Sequence, residues 1–183
     1  MVPPAVTEQA TAYILVGLPG SGKTTRASEL EHRHKALRFT PDEWMKPLFG
    51  VPEADGRRDI LEGRCIKLGL DALRIGVDVV FDFGVWTKVE RSALRALVAG
   101  SEARSELVYM AVDKAERRER LRRRTAEGQG LHFEISEQRL AAFDAVFEAP
   151  TESELYATTI DPAPSRYETW EQWAAQRWPT STT

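Results

Sequence analysis

The sequence is poor in the residues that several common classes of site require. It contains no asparagine and a single cysteine, Cys65. One cysteine excludes an intramolecular disulfide, and no Cys/His spacing resembles a zinc site. Without asparagine or a substitute for it, the chain lacks the Asn/Thr-Lys-x-Asp element with which regulatory GTPases read guanine. Because no zinc-type spacing is present, we expect the three histidines at the surface or in a lid rather than as metal ligands; they are His32, His34 and His132.

Long apolar runs and strong charge are also missing. No apolar run approaches the roughly 18 residues of a membrane-spanning helix, and the first residues lack a basic segment followed by an apolar one. We therefore expect a soluble, cytoplasmic protein with no membrane partner. The net charge of −3 and the pI of 5.7 argue against stable non-specific binding to nucleic acid.

The most specific motif that is present is a phosphate-binding loop at Gly17–Thr24, directly after the apolar run Ala12–Val16. It fits the pattern G-x-x-x-x-G-K-[ST], between a strand and a helix. Glycines let successive backbone N–H groups point at a phosphate, Lys23 adds a positive charge, and the Thr24 hydroxyl can bind Mg²⁺. The predicted nucleotide-binding residues are Gly17, Pro19, Gly20, Ser21, Gly22, Lys23, Thr24 and Thr25.

Apolar runs rich in β-formers alternate with helical patterns, which is typical of an α/β fold with a parallel sheet. At 183 residues the chain is expected to form one domain, residues 12–183, after a flexible N-terminus at 1–11. Strands are predicted at residues 12–16, 37–40, 77–81, 106–112 and 156–160. Helices are predicted near residues 23–34, 57–75, 89–99, 114–125 and 136–147.

Two carboxylates follow predicted strands, at the sheet edge where ligands bind in such folds. Asp42 follows the second strand, although Thr40 and Pro41 could equally make it part of an ordinary helix start. Asp82 ends a buried strand and can hold the hydration shell of Mg²⁺ opposite Thr24. Its alternative role is to cap the turn that follows.

An arginine-rich segment, Glu116–Arg124, precedes the glycines Gly128 and Gly130. Such a segment is often a solvated helix face with charge pairs between successive turns. Its position after the fourth strand also lets an arginine reach the transferred phosphoryl group. The glycines suit a lid, at about residues 124–135, that closes on the nucleotide.

The tail contains Trp170, Trp173 and Trp178. The spacing places Trp170 and Trp173 on one helical face, which predicts a helix that docks on the rest of the domain. No chemistry is assigned to this tail.

Taken together, these residues resemble the small P-loop kinases, which include the 5′-kinase domain of bacteriophage polynucleotide kinase, chloramphenicol phosphotransferase, the zeta toxins and AAA_33-type ATP-binding proteins. The resemblance covers about residues 12–150. It is carried by the phosphate loop through Thr25, Asp42, the segment Phe81–Trp86 with Glu90 and Arg91 behind it, and Arg120 and Arg124.

The resemblance implies a three-layer α/β/α fold with a five-stranded parallel sheet in the order 2-3-1-4-5 and an arginine-bearing lid. It implies ATP with Mg²⁺ as donor and a hydroxyl group as acceptor, with Asp42 as general base. Asp82 matches a carboxylate near the metal or the acceptor. Arg124 matches the lid arginine, with Arg120 as the next candidate, and Arg91 could hold the acceptor.

The chain departs from phage-type polynucleotide kinases after the third strand, where it has Asp82–Trp86 instead of an Asp-Thr-Asn-like turn. Trp44, Phe83, Trp86 and Phe133 could enclose a base or a flat small molecule, or could be core residues. The acceptor, a small molecule or a nucleic-acid end, therefore stays open. The alternative function is a non-kinase module that binds or hydrolyses ATP, although no second carboxylate follows Asp82 as in a mechanical AAA ATPase.

Overall fold

The structure, a computed structural model, describes residues 9–51, 55–127, 135–156 and 159–182. Its centre is a parallel sheet of four strands in the order β2-β3-β1-β4. The strands are β1 (Thr11–Val16), β2 (Leu37–Phe39), β3 (Val79–Phe81) and β4 (Arg104–Tyr109). The neighbours Ile14 and Phe81 fix the register of β1 against β3, and Ile14 and Leu107 fix that of β1 against β4.

The order 2-3-1-4 of the first four predicted strands is confirmed. The prediction of a fifth strand at residues 156–160 is wrong for the residues that are described. A short helix at Glu152–Tyr156 takes the first position, and residues 159 and 160 form no strand. The predicted fifth strand carries β-forming residues, yet Tyr156 is 83% exposed. An exposed residue gains little from its β-propensity, because β-propensity mainly reflects packing.

Eight helices connect and cover these strands in the described residues. They are α1 (Lys23–His34), α2 (Pro41–Phe49), α3 (Arg57–Arg74), α4 (Lys88–Ala99), α5 (Lys114–Ala126), α6 (Glu137–Val146), α7 (Glu152–Tyr156) and α8 (Trp170–Arg177). None of the helices in the described part of the chain combines the length and the hydrophobicity that a membrane span requires.

The central strand β1 is buried on both faces, so its side chains alternate between two apolar clusters. Tyr13 and Leu15 pack with Ala27 and Leu30 of α1. The other face of the sheet packs against apolar side chains of α3 and α4. The strand residues on that face are Ala12, Ile14, Val16, Phe39, Val79, Phe81 and Leu107. The sheet is therefore covered on both faces, as a three-layer α/β/α arrangement requires.

The tail docks as a helix, as its tryptophan spacing predicts. Helix α8 contacts α4, and the Trp178 side chain is fully buried in the same apolar cluster as α3 and α4. The chain after α8 passes so close to α3 that a Cβ added at Gly63 would lie 2.0 Å from the Pro179 carbonyl oxygen. Glycine at this position therefore permits the close approach of the tail.

Candidate active site

The phosphate loop links β1 to α1 in a conformation that two glycines make accessible. Gly20 and Gly22 have φ values of 83° and 92°, which residues with a side chain rarely adopt. A Cβ at Gly20 would also lie 2.6 Å from the Arg117 carbonyl oxygen, because α5 packs on the loop. The loop turns through a hydrogen bond from the Ser21 N–H to the Leu18 carbonyl, 3.1 Å long.

Helix α1 begins at Lys23 without a side-chain cap, since Gly22 is its N-cap residue. The first N–H groups of such a helix have no intrahelical partner and favour an anion. Lys23 Nζ donates to the Leu18 carbonyl at 3.2 Å, so the lysine lies folded over the loop. Burial lowers the pKa of Lys23 to about 8, against the opposing effect of Asp82 and Asp42.

Thr24 and Asp82 meet beside this loop. Asp82 directly follows β3, is 5% exposed, and is hydrogen-bonded by Thr24. Thr40 Oγ1 donates to Asp82 Oδ2 at 3.3 Å. Burial raises the pKa of the Asp82 carboxyl, and the nearby positive charges of Lys23 and Arg38 oppose that rise.

A hydroxyl and a carboxylate are suitable oxygen ligands for Mg²⁺. Among the described residues no group of three or more His, Cys, Asp or Glu side chains could hold a metal ion. Mg²⁺ in phosphoryl-transfer sites needs only one or two carboxylates, because phosphates and water supply the other ligands. Thr24 and Asp82 therefore fit a metal that arrives with the nucleotide.

Asp42 lies in the first turn of α2, where Thr40 is the N-cap residue and Pro41 is the first helical residue. The Thr40 hydroxyl does not cap this helix; it accepts from Arg38 Nη1 at 2.6 Å and donates to Asp82. Asp42 Oδ1 forms an ion pair of 2.8 Å with Arg58 Nη1. Its side chain is 45% exposed, so it can meet a substrate at the cavity surface.

The last turns of α5 bring arginines to the phosphate loop. Arg120 Nη1 lies 3.7 Å from the position of a Cβ at Gly22, and Arg120 Nη2 pairs with Glu116 at 2.5 Å. Burial lowers the pKa of Arg124, and the charge of Asp42 acts in the opposite direction. The two lid-arginine candidates therefore lie near the loop and near Asp42, respectively.

These residues surround one cavity of about 840 Å³. The predicted residues that line it are Pro19, Gly20, Gly22, Lys23, Thr24, Thr25, Asp42, Asp82, Phe83, Trp86, Arg120 and Arg124. Gly17 and Ser21 belong to the same loop but do not line the cavity. Most of the predicted lid, residues 128–134, lies outside the described residues. The predicted acceptor residue Phe133 is among them.

Two predicted acceptor residues lie away from this cavity. The Trp44 side chain is 47% exposed and does not line it. Arg91 is fully buried and pairs with Glu154, with 2.5 Å between Arg91 Nε and Glu154 Oε1. Arg91 also donates to the carbonyls of Trp86 and Glu148. It therefore ties α4 to the segments at residues 86 and 148–154, where it cannot touch an acceptor in this cavity.

The structure adds residues to the cavity that the sequence did not identify as functional. They are Arg58, Asp59, Glu62, Arg139, Phe143 and Arg177, together with Thr40, Gly84, Leu121, Arg123, Glu127 and Ile135. Arg58 and Glu62 form an i,i+4 pair that reads as an ordinary helix-surface pair, and Arg177 lies in the tail that was assigned no chemistry. No local motif indicates them, because the first six of them come from α3, α6 and α8, which are far apart in the chain.

Glu62 is the most unusual of these residues because it is 3% exposed. Its Oε1 accepts from Arg58 Nε at 3.1 Å, while Arg177 Nη2 lies 3.8 Å from Oε2. Burial raises the pKa of Glu62 to about 7, although both arginines oppose the rise.

Comparison with known proteins gives one family match and several solved structures of similar fold. Residues 13–150 match the AAA_33 family, described as an AAA domain. No curated protein matches the chain. The resemblance to small P-loop kinases is confirmed by this match together with the solved structures of similar fold.

Three solved structures show how far the fold likeness extends. A protein from Chloroflexus aurantiacus has a TM-score of 0.65 at 16% identity, covering 93% of this chain and 99% of its own. Kti12 from Chaetomium thermophilum, in complex with ADP-AlF3, has a TM-score of 0.59 at 18% identity, covering 94% and 100%. The APS kinase of Mycobacterium tuberculosis, in complex with AMPPNP and APS, has a TM-score of 0.56 at 13% identity, covering 92% and 95%.

Proposed function

Because the chain belongs to the AAA_33 family of AAA domains, we propose that it is an ATP-dependent phosphotransferase that moves the γ-phosphate of ATP to a hydroxyl acceptor. The observation that supports this most is the shared cavity of the phosphate loop and Asp42. A hydrolase needs only a phosphate site and a positioned water. This cavity also offers a carboxylate on α2 and a wall of aromatic and charged residues beyond the loop.

The phosphate loop binds the donor. Backbone N–H groups at the start of α1 and the Lys23 ammonium hold the β- and γ-phosphates. Thr24 and Asp82 would hold Mg²⁺, which when bound neutralises charge on the phosphate oxygens. Arg124, with Arg120 as the second candidate, stabilises the charge that builds up on the transferred group.

Asp42 receives the proton of the acceptor hydroxyl as the oxygen attacks the γ-phosphorus, while the bond from the γ-phosphorus to the bridging oxygen breaks and ADP leaves. Arg58 holds Asp42 Oδ1 at 2.8 Å and so limits the orientations of the carboxylate. Phe83 and Trp86, which line the cavity, help to enclose the acceptor and exclude water. Electrostatic positioning by these residues accounts for the chemistry without a covalent enzyme intermediate.

The proposal is tested by following ³²P from γ-labelled ATP with and without hydroxyl compounds of several classes. We expect label to appear in an acceptor and ADP formation to depend on that acceptor. Lys23→Ala should abolish transfer. ADP formation at one rate with and without every acceptor would instead support the alternative, a module that only binds or hydrolyses ATP.

A further inference from the structure

Arg38 of β2 does not line the cavity, yet its guanidinium group contacts three of the segments that form it. Arg38 Nε donates to Glu31 Oε2 of α1 at 2.9 Å, and Nη1 donates to Thr40 Oγ1 at 2.6 Å. Glu43 of α2 accepts from Nη1 at 2.8 Å and from Nη2 at 3.4 Å. The group therefore joins the helix that follows the phosphate loop to the helix that carries Asp42.

The hydrogen bond between Arg38 and Thr40 has only one possible direction. A guanidinium group donates and cannot accept, so the Thr40 oxygen is the acceptor. The Thr40 hydroxyl keeps its single hydrogen for another partner, and Asp82 Oδ2 lies 3.3 Å from Thr40 Oγ1. An ionised carboxylate only accepts, so the Thr40 hydroxyl donates to it. A directed chain of hydrogen bonds thus runs from Arg38 through Thr40 to Asp82.

Glu31 and Glu43 hold the guanidinium group in place for this chain. The four hydrogen bonds of Arg38 use four of the five N–H groups of a guanidinium. Hydrogen bonds between charged partners are stronger than neutral ones, and the planar group can form several of them at once. A lysine side chain carries its three N–H groups on one nitrogen atom, so it cannot reach all of these partners. The hydrogen bond to Thr40 therefore depends on an arginine at position 38.

The chain of hydrogen bonds ends on Asp82, which together with Thr24 fits a metal that arrives with the nucleotide. Thr24 also bonds the Asp82 carboxylate, so this side chain has hydroxyl partners from two different segments. Such partners fix the orientation of a metal-binding carboxylate, and losing one typically lowers metal affinity about 10- to 100-fold. Because Thr40 is 4% exposed, bulk water does not compete with its bond to Asp82.

We propose that Arg38 is a positioning residue for the metal site. It fixes the direction of the Thr40 hydroxyl, which in turn holds the Asp82 carboxylate in the orientation that binds Mg²⁺. This inference rests on the proposed function, since the metal belongs to the ATP donor. Metal binding can be measured without an acceptor, however. A chain that hydrolyses ATP at one rate with and without acceptors would contradict the phosphotransferase function and leave this inference standing.

The test uses Mn²⁺ in place of Mg²⁺ and the ATP analogue AMPPNP, whose affinity is measured by calorimetry with Mn²⁺ and again with EDTA. Thr40→Val keeps the shape of the side chain, removes the hydroxyl and leaves the ion pairs of Arg38 in place. It should lower the affinity for AMPPNP with Mn²⁺ about 10- to 100-fold and leave the affinity in EDTA unchanged. Arg38→Lys should act in the same direction. Thr40→Ser, which keeps the hydroxyl, should bind Mn²⁺ and AMPPNP as the parent protein does.

The matched control is Thr11→Val, because Thr11 is another buried strand threonine bonded by an arginine. Its Oγ1 accepts from Arg104 Nη2 at 3.3 Å, and neither residue lines the cavity. This variant should keep both affinities of the parent. Parent-like affinity with Mn²⁺ in Thr40→Val, or an equal loss in Thr40→Ser, would overturn the inference. A loss of the same size in EDTA would also overturn it, because the hydrogen bond would then support the nucleotide site rather than the metal.

Discussion

Arg58 of α3 and Asp42 of α2 form an ion pair, with 2.8 Å between Arg58 Nη1 and Asp42 Oδ1. The same guanidinium bonds Glu62 through Nε at 3.1 Å. One side chain thus joins the candidate general base to the buried carboxyl of Glu62. Proton transfer requires a base in a fixed position, and this pair supplies that position from a neighbouring helix.

The first prediction concerns Asp42 as the base. Asp42→Asn should leave the affinity for ATP nearly intact and lower the rate of transfer about 10²-fold or more, because the amide cannot take the acceptor proton. The measurement is transfer of label under saturating ATP, with ATP affinity determined separately. Asp71→Asn removes a carboxylate of α3 that pairs with Lys67 and Arg74 and does not line the cavity, so it should keep full activity. Full transfer by Asp42→Asn would show that another group accepts the proton.

The donor half of this site could be predicted from the sequence because its parts are close together in the chain. Gly17–Thr25 is one continuous motif, and the strand before it and the helix after it have clear patterns. Asp42 and Asp82 follow predicted strands, and strand ends meet at one edge of a parallel sheet. The positions of these residues in one cavity therefore agree with expectation.

The rest of the cavity could be predicted only in part: Phe83 and Trp86 line it as expected, but long-range packing brings Arg177 to it. Arg177 and Glu90 are 87 positions apart, yet Arg177 Nε donates to Glu90 at 2.8 Å. Arg91 follows the predicted site segment Phe81–Trp86, but it is buried and donates a hydrogen bond to Glu154, 63 positions away. Neither pairing has a local sequence signal. The prediction of a fifth strand failed for a related reason, since the β-propensity of Tyr156 was not matched by burial.

The second prediction concerns the pH dependence of ATP binding. Burial lowers the pKa of Lys23 to about 8, while bound phosphates should raise it, since they favour the ammonium form. Binding above pH 8 must therefore take up a proton, and affinity for ATP should fall up to about tenfold per pH unit there. Below pH 8 the lysine is already charged, so this dependence should disappear.

Calorimetric titration with ATP in buffers of different ionisation enthalpy measures this proton uptake directly. Lys67→Gln, which removes a lysine of α3 that does not line the cavity, should show the same uptake as the parent protein. Binding that is independent of pH and of the buffer between about pH 7.5 and 9.5 would contradict the lowered pKa of Lys23.

The third prediction separates Arg124 from the other arginines of α5. Arg124→Ala should slow a single turnover by about 10²-fold or more and change ATP affinity much less, because its charge matters most in the transition state. Arg122→Ala is the matched control, since Arg122 lies on the same helix, pairs with Glu119 and does not line the cavity. An equal single-turnover rate for Arg124→Ala and the parent would exclude this role, and Arg120 would become the candidate.

The fourth prediction concerns the docking of the tail at Gly63. A Cβ there would lie 2.0 Å from the Pro179 carbonyl oxygen and 2.8 Å from that of Trp178, closer than side chains approach backbone atoms. Gly63→Ala should therefore displace the tail and destabilise the fold by about 1–3 kcal/mol, although alanine favours a helix by up to about 1 kcal/mol. The expected decrease in Tm is several degrees, about 2–4 °C per kcal/mol, measured by thermal unfolding.

The same substitution should raise KM for the acceptor and leave KM for ATP nearly unchanged. Arg177 directly precedes Trp178, so a displaced tail takes Arg177 away from Glu62 and Glu90, while the phosphate loop keeps its contacts. Gly100→Ala is the matched control because Gly100 has a φ of −65° and its added Cβ would have 3.5 Å to the nearest atom. If Gly63→Ala kept the Tm and the acceptor KM of the parent, neither the close approach of the tail nor its part in the cavity would hold.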